Sequence, residues 1–211
     1  MKVKEALKIV GSLTKTSKMP GYSYSLPAQR CAVGGKLAKV KGSVCSLCYA
    51  LKGSYIMYPA VRQAQEKRYK SINDAKWVEA MVTIIKNKKE NFFRWHDAGD
   101  LKNINHLLKI CQVARSTPRF RHWLPTREAG ILYNFKKTYG EKAIPNNLVI
   151  RLSATMIGGK PPKSHTFTST VHRPKASVHG WECLAYKNNN KCGSCRACWY
   201  KRNKNISYKV H

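Results

Sequence analysis

Eight cysteines stand at positions 31, 45, 48, 111, 183, 192, 195 and 198, and their spacing says more than their number. Cys183-x8-Cys192-x2-Cys195-x2-Cys198 supplies four thiolates, one complete tetrahedral set. Its two successive x2 gaps wrap a tight loop around whatever is bound, with Gly193 allowing the backbone close to it. Disulfides suit such close spacing poorly, and the pattern reads as metal ligation. It resembles ferredoxin-like iron–sulfur ligation more than zinc, whose sites usually set two Cys-x2-Cys knuckles further apart; zinc stays the alternative. Cys31, Cys45 and Cys48 form a second group. Three thiolates leave one iron of a four-iron cluster without a protein ligand, and an open metal position can take a substrate or cofactor. The seven cysteines suit one [4Fe-4S] cluster or two. Cys111 falls on the apolar face of an expected helix and reads as core.

The other chemistry-bearing residues follow expected strands. His96-Asp97-Ala98-Gly99-Asp100 comes directly after Phe92–Trp95, and the carboxyl ends of parallel strands are where α/β proteins place their sites. His96, Asp97 and Asp100 are therefore the candidate catalytic groups. Gly99 lets the chain turn close to a ligand, and either aspartate could hold an amine or hydroxyl. Thr126 and Arg127 end the next strand, and Arg151 and Ser153 mark the one after; with Gly99 and Asp100 they are the candidate cofactor-binding residues. Helix capping by His96-Asp97 is the plainer alternative. There is no Ser–His–Asp order, phosphate-cradling glycine loop or His-Glu-x-x-His motif.

The elements that must position these groups are legible by period. Val3–Leu13, Pro59–Tyr69 and the run after Asp74, with Trp77, Met81, Ile84 and Ile85 on one face, read as helices. Strand and helix then alternate: Phe92–His96, a helix holding Ile104, Leu107, Leu108 and Cys111, Phe120–Leu124, Glu128–Tyr139, Leu148–Leu152, and a further alternating run at His165–Val171. Such units build a parallel sheet, either doubly wound or a partial (β/α) barrel; the barrel-like α/β form is the expectation. The chain divides into residues 1–174, the α/β domain, and 175–211, a cysteine-rich extension too short for its own core that packs on it through its metal.

Forty Lys and Arg against ten Asp and Glu give a formal charge of +30, while 43% of residues are hydrophobic. A folded chain with that field attracts polyanions, which makes DNA or RNA a candidate partner. No apolar run approaches the ~20 residues of a membrane span, and Met1–Lys18 lacks the core of a secretory signal, so a cytoplasmic location is expected.

Tyr24-Ser-Leu-Pro-Ala28, Cys45-x2-Cys48-Tyr49-Ala50-x2-Gly53-x-Tyr55, Phe93-Arg-Trp-His-Asp-Ala-Gly-Asp100 and Cys192-Gly-x-Cys-Arg-x-Cys-Trp199 together resemble the bacteriophage "gene product eighty-eight" family. That resemblance implies a phage protein at work in the cytoplasm of a bacterial host. A looser resemblance is to the radical S-adenosylmethionine enzymes, in which three cysteines after the first barrel strand hold a four-iron cluster and an acidic glycine motif binds the methionine amine. It implies that Cys31, Cys45 and Cys48 are the trio and Gly99-Asp100 the acidic motif. S-adenosylmethionine would then be cleaved with an electron from a donor protein, to act on a nucleic-acid or nucleotide substrate. The thirteen residues between Cys31 and Cys45 depart from the three usual in those enzymes, and 211 residues make an incomplete barrel. A non-catalytic nucleic-acid-binding protein with a structural cluster or zinc is the other reading.

Overall fold

The structure, a computed structural model, describes residues 1–210. Its strands are β1 (Tyr22–Tyr24), β2 (Phe92–Trp95), β3 (Arg121–Thr126), β4 (Leu148–Ser153), β5 (Thr168–His172), β6 (Trp181–Cys183) and β7 (Asn205–Lys209). They form one seven-stranded sheet in the order β1-β2-β3-β4-β5-β7-β6, and every pairing is parallel. A doubly wound sheet reverses its order at a switch point. Here the order follows the chain without reversal through β5, as in a barrel that does not close. The helices are α1 (Val3–Val10), α2 (Ala32–Leu37), α3 (Ser54–Met57), α4 (Pro59–Ser71), α5 (Trp77–Lys86), α6 (Ile104–Ser116) and α7 (Ala129–Tyr139).

Alternation along the strands sorts the two faces of the sheet. Phe93, Trp95, Leu124, Leu148 and Ile150 turn to the helices, where Trp77, Met81, Ile84 and Ile85 of α5 and Leu107, Ile110 and Cys111 of α6 complete the core. The α5 residues recur at helical spacing because only one face of that helix meets the sheet. In α6, the Asn103 side chain accepts a bond from the His106 amide at 2.9 Å, which fixes where the helix begins. The opposite face carries Arg94, Trp123, Val149, Arg151 and Ser153, whose polarity a buried sheet face does not need for packing.

The C-terminal segment covers that polar face. Expected to lean on the sheet as an extension, it contributes β6 and β7 to it, and residues 184–204 between them cross the sheet. The Cys192 amide donates to the Lys18 carbonyl just ahead of β1 (2.9 Å), so the segment spans the open side of the barrel-like sheet. Trp199 packs edge-on against Phe92 and Trp123 and donates its indole N–H to the Phe93 carbonyl at 2.9 Å. No described helix is long and apolar enough to cross a membrane.

Two cysteine sites on one sheet

The first cysteine group sits on the loop that follows β1. Cys31 caps α2, and Cys45 opens a 3₁₀ turn that ends before Cys48. Ala28 and Ala50 of this loop pack with Ala98, which follows β2, and Cys31 and Cys48 lie against that small apolar cluster. The Glu128 carboxylate, just beyond β3, accepts the Val33 amide at 2.9 Å. Further on, the Val44 amide donates to Thr155 and the Gly42 carbonyl accepts from Ile157, both beyond β4. The loop is thus pinned to the ends of β1 through β4 and roofs the carboxyl end of the sheet.

Beneath the roof lies a cavity of about 370 Å³, with Cys31, Cys45 and Cys48 in its lining. Gly34 gives these sulfurs room. A Cβ on Gly34 would stand 3.0 Å from the Cys31 Cβ and 3.6–3.7 Å from the Cys45 and Cys31 Sγ atoms, although the helical backbone there needs no glycine. Burial pushes the Cys31 thiol up, and Asp100, the other two cysteines and Glu128 push the same way. Cys45 is raised by burial too, with Arg127 favouring its anion. A metal binding here would displace thiol protons.

The residues after β2 divide by role. Asp100 is occupied by the protein: Oδ1 accepts from the Leu101 amide (2.8 Å) and the Thr126 hydroxyl (2.6 Å), and Oδ2 from the Arg127 amide (2.8 Å). It joins the end of β2 to the end of β3, and burial raises it to about 6. Thr126 in turn accepts the Glu128 amide. Gly99, at φ +81°, passes so close to β1 that a Cβ would meet the Leu26 Cβ at 2.6 Å and its carbonyl oxygen at 2.7 Å. Gly99 and Asp100 therefore build the wall of the cavity, whatever they touch within it.

Asp97 has the opposite character. It lines the cavity yet is only 4% exposed; it takes the Tyr55 hydroxyl on Oδ2 at 2.9 Å, and its buried Oδ1 has no partner. Tyr49 donates to its carbonyl. His96 holds a left-handed φ of +55°, costly for a side chain of its size. Both its ring nitrogens lack partners, and burial, then Arg94, holds it down to about 3, so it is neutral. Arg127 and Ser153 also line the cavity, Ser153 accepting the Ser169 hydroxyl.

Arg151 departs from its expected place. It is fully buried and absent from the cavity lining. Its guanidinium donates instead to the carbonyls of Cys198 (3.0 Å), Tyr200 (3.0 Å), Asn203 (2.9 Å) and Ala197 (3.3 Å), with longer bonds to Thr168 and Lys204. A buried cation without a carboxylate is tolerable only when carbonyl dipoles surround it this fully. Its work is to hold the C-terminal segment.

That segment carries the second group. Cys183 ends β6, and Cys192, Cys195 and Cys198 follow on the crossing. Burial raises Cys192, with the neighbouring thiols of Cys183 and Cys195 adding to it, while Arg94 and Arg196 oppose. Cys198, pushed up to about 12 by burial, receives relief from the Tyr208 hydroxyl 3.2 Å from its Sγ and from Arg151. The seven cysteines therefore part three and four. Arg94 lies between the groups: burial opposes its charge, and Tyr49, Asp97, Tyr208 and Cys198 more than offset that. Cys111 is buried in the helix-side core. No three or more His, Cys, Asp or Glu side chains among the described residues gather tightly enough to hold a single metal ion; a four-iron cluster instead takes its thiolates at separate irons.

Residues 2–201 match the family described as Gene product 88. The chain belongs to that family. The match takes in both cysteine groups, the roof loop and the Phe93–Asp100 run. No curated protein and no solved structure matches the chain. Arg94, Gly34, Tyr49, Tyr55 and Tyr208 are site residues that the sequence reading passed over. For Arg94 a signal existed, since a cation alternating with Phe93 and Trp95 must face a polar interior.

Proposed function

We propose that this is an iron–sulfur protein with two cluster sites: an open one at Cys31, Cys45 and Cys48, and a closed one at Cys183, Cys192, Cys195 and Cys198. The observation that carries it is the placing of three thiols around one cavity at the carboxyl end of the sheet, with Gly34 leaving the space between two of them. Cys31, Cys45 and Cys48 would hold a four-iron cluster with one iron open to S-adenosylmethionine, and that cluster would supply one-electron chemistry, its electron coming from an external reductant, to cleave the sulfonium and start hydrogen abstraction from substrate. The chain's own residues provide the rest. Asp100, Thr126 and Glu128 fix the roof loop to the strand ends. Asp97 offers a free carboxylate oxygen, Ser153 lines the far wall, and the loop from Cys31 to Leu51 limits water.

The four C-terminal cysteines lie outside the lining of that cavity and supply every thiolate a cluster needs, which favours a structural or electron-carrying role there. Anaerobically purified protein should be brown and carry close to eight irons and eight sulfides, the sum for two clusters of the four-iron type. On reduction, S-adenosylmethionine should perturb the EPR signal of one cluster only. A colourless, zinc-loaded protein would end the proposal. Four irons, lost when Cys195 is replaced, would leave the closed site alone and make the protein non-catalytic.

A further inference from the structure

We infer that the mouth of the cavity receives single-stranded nucleic acid, and that one base enters to meet Asp97. The inference leans on the reading above only for what then happens to the base; binding itself tests it without any cluster. Three observations converge. First, the surface beside the cavity is apolar and aromatic where a soluble surface would be polar: Leu47 and Tyr49 line the cavity yet are 51% and 55% exposed, the Tyr55 ring lies 5.8 Å from that of Tyr49, and Met57 and Tyr58, which follow Tyr55 in the chain, are 71% and 57% exposed. Flat side chains held open at a cavity mouth are what unpaired bases stack upon.

Second, the same stretch is one-sided in charge. Lys36, Lys39, Lys41 and Lys52 are exposed, and no acidic residue stands between Glu5 and Glu66. A phosphate backbone can follow that stretch without meeting a carboxylate. Third, the acidic groups nearest the mouth lie inside it. Of these, Asp100 has its oxygens taken, whereas Asp97, which lines the cavity, keeps a buried Oδ1 without a protein partner. A buried, unpaired carboxylate oxygen selects a donor, and an exocyclic amino group of cytosine is such a donor, where thymine presents a carbonyl oxygen. A duplex keeps both stacking faces and amino groups engaged, so a single strand is the fitting partner.

The test is fluorescence anisotropy on the anaerobically purified protein, with labelled oligo-dC, oligo-dT, the corresponding RNA strands, and a DNA duplex of equal length. Single strands should bind at least about 10-fold tighter than duplex, and tighter in low salt. Tyr58→Ala, which removes an exposed ring and no hydrogen bond, should weaken single-strand binding by about 5-fold or more, and adding Tyr49→Ala should weaken it further. Asp97→Asn should leave dT binding in place and abolish a preference of about 5-fold or more for dC. The RNA and DNA arms identify which strand is favoured. Duplex or heparin binding as well as the single strands, with Tyr58→Ala silent, would reduce the interaction to bare charge and overturn the inference. An unchanged dC preference in Asp97→Asn would overturn the entry of the base.

Discussion

The two cysteine groups use the same element in opposite surroundings. Around Cys31 stand Asp100 and Glu128, which disfavour an anion, with Arg127 as the counterweight at Cys45. Around Cys192 and Cys198 stand Arg94, Arg196, Arg151 and the Tyr208 hydroxyl, all of which favour one. The first group opens on a cavity beneath a loop that is pinned at its ends. The second sits on a crossing segment whose carbonyls are gathered onto one guanidinium. On the proposed reading, a full set of donors on a clamped backbone keeps what it holds, and three donors over a hollow leave a position for exchange.

The largest effect that would break this contrast comes from Arg151. Replacing it with Ala leaves the carbonyls of Ala197, Cys198, Tyr200 and Asn203 without their donor in the interior. Each buried acceptor left unsatisfied costs about 1–3 kcal/mol. We expect Arg151→Ala to lower the melting temperature sharply, and any metal that survives to be that of Cys31, Cys45 and Cys48. Metal content and thermal melts decide this. A stable variant with both sites filled would show the clamp to be unimportant.

Acid sharpens the contrast from the other face. Burial holds His96 and His122 at about 3 and His106 well below its ordinary 6.5. Between these values the unfolded chain binds more protons, so stability is present above about pH 6.5 and is lost as pH falls. Asp100 works in the opposite sense, because burial raises it from 3.8 to about 6 and the folded chain holds its proton in that window. Three groups outweigh one. Melts should fall steadily from pH 7 to about pH 4, and His122→Gln should flatten the slope. The histidines lie against the helix-side core, with His96 also in the cavity lining, whereas the anchor of the C-terminal segment, Arg151, keeps its charge throughout. A melt that did not change with pH would contradict the burial of these rings as neutral groups.

Gly34→Ala separates the two sites more finely. Alanine favours a helix over glycine by about 1 kcal/mol, so the fold should not suffer. The new methyl fills the space beside the Cys31 and Cys45 sulfurs, and metal should fall by the share of one site only. This glycine illustrates what the sequence does not disclose. The helices and β2 through β4 are legible because apolar residues recur with clear periods. The x2 gaps mark the cysteines as candidate ligands in the sequence. How they divide is not legible, since only the fold brings Lys18 to Cys192 or Gly42 to Ile157. Short polar strands hide as well: Asn205–Lys209 reads as part of a basic tail until β5 pairs with it. Asp97 and Asp100 stand three apart after one strand, and nothing in their spacing tells which carboxylate the protein has already used. Arg151 was indistinguishable from a ligand-binding residue because all of its partners except Thr168 lie 46 to 53 positions further along.

The smallest effect belongs to a pair of serine substitutions, and it discriminates because exposure and consequence run in opposite directions. Cys195 is the exposed cysteine, while Cys111 is buried in the core. If thiols mattered here through packing alone, Cys195→Ser would be silent, and Cys111→Ser would cost about 1–3 kcal/mol for a hydroxyl left without a partner. Coordination predicts a different pattern. Cys111→Ser should show that modest destabilisation with metal content unchanged, because its thiol touches neither group. Cys195→Ser should lose the metal of the closed site and melt earlier, although no buried contact has been removed. In metal-free protein the second difference should vanish, since an exposed thiol and an exposed hydroxyl are equivalent to the fold. Metal analysis and paired melts, with and without chelator, read all of this. A Cys195→Ser protein that keeps its full metal content would remove the fourth ligand from the closed site and with it the contrast between the two.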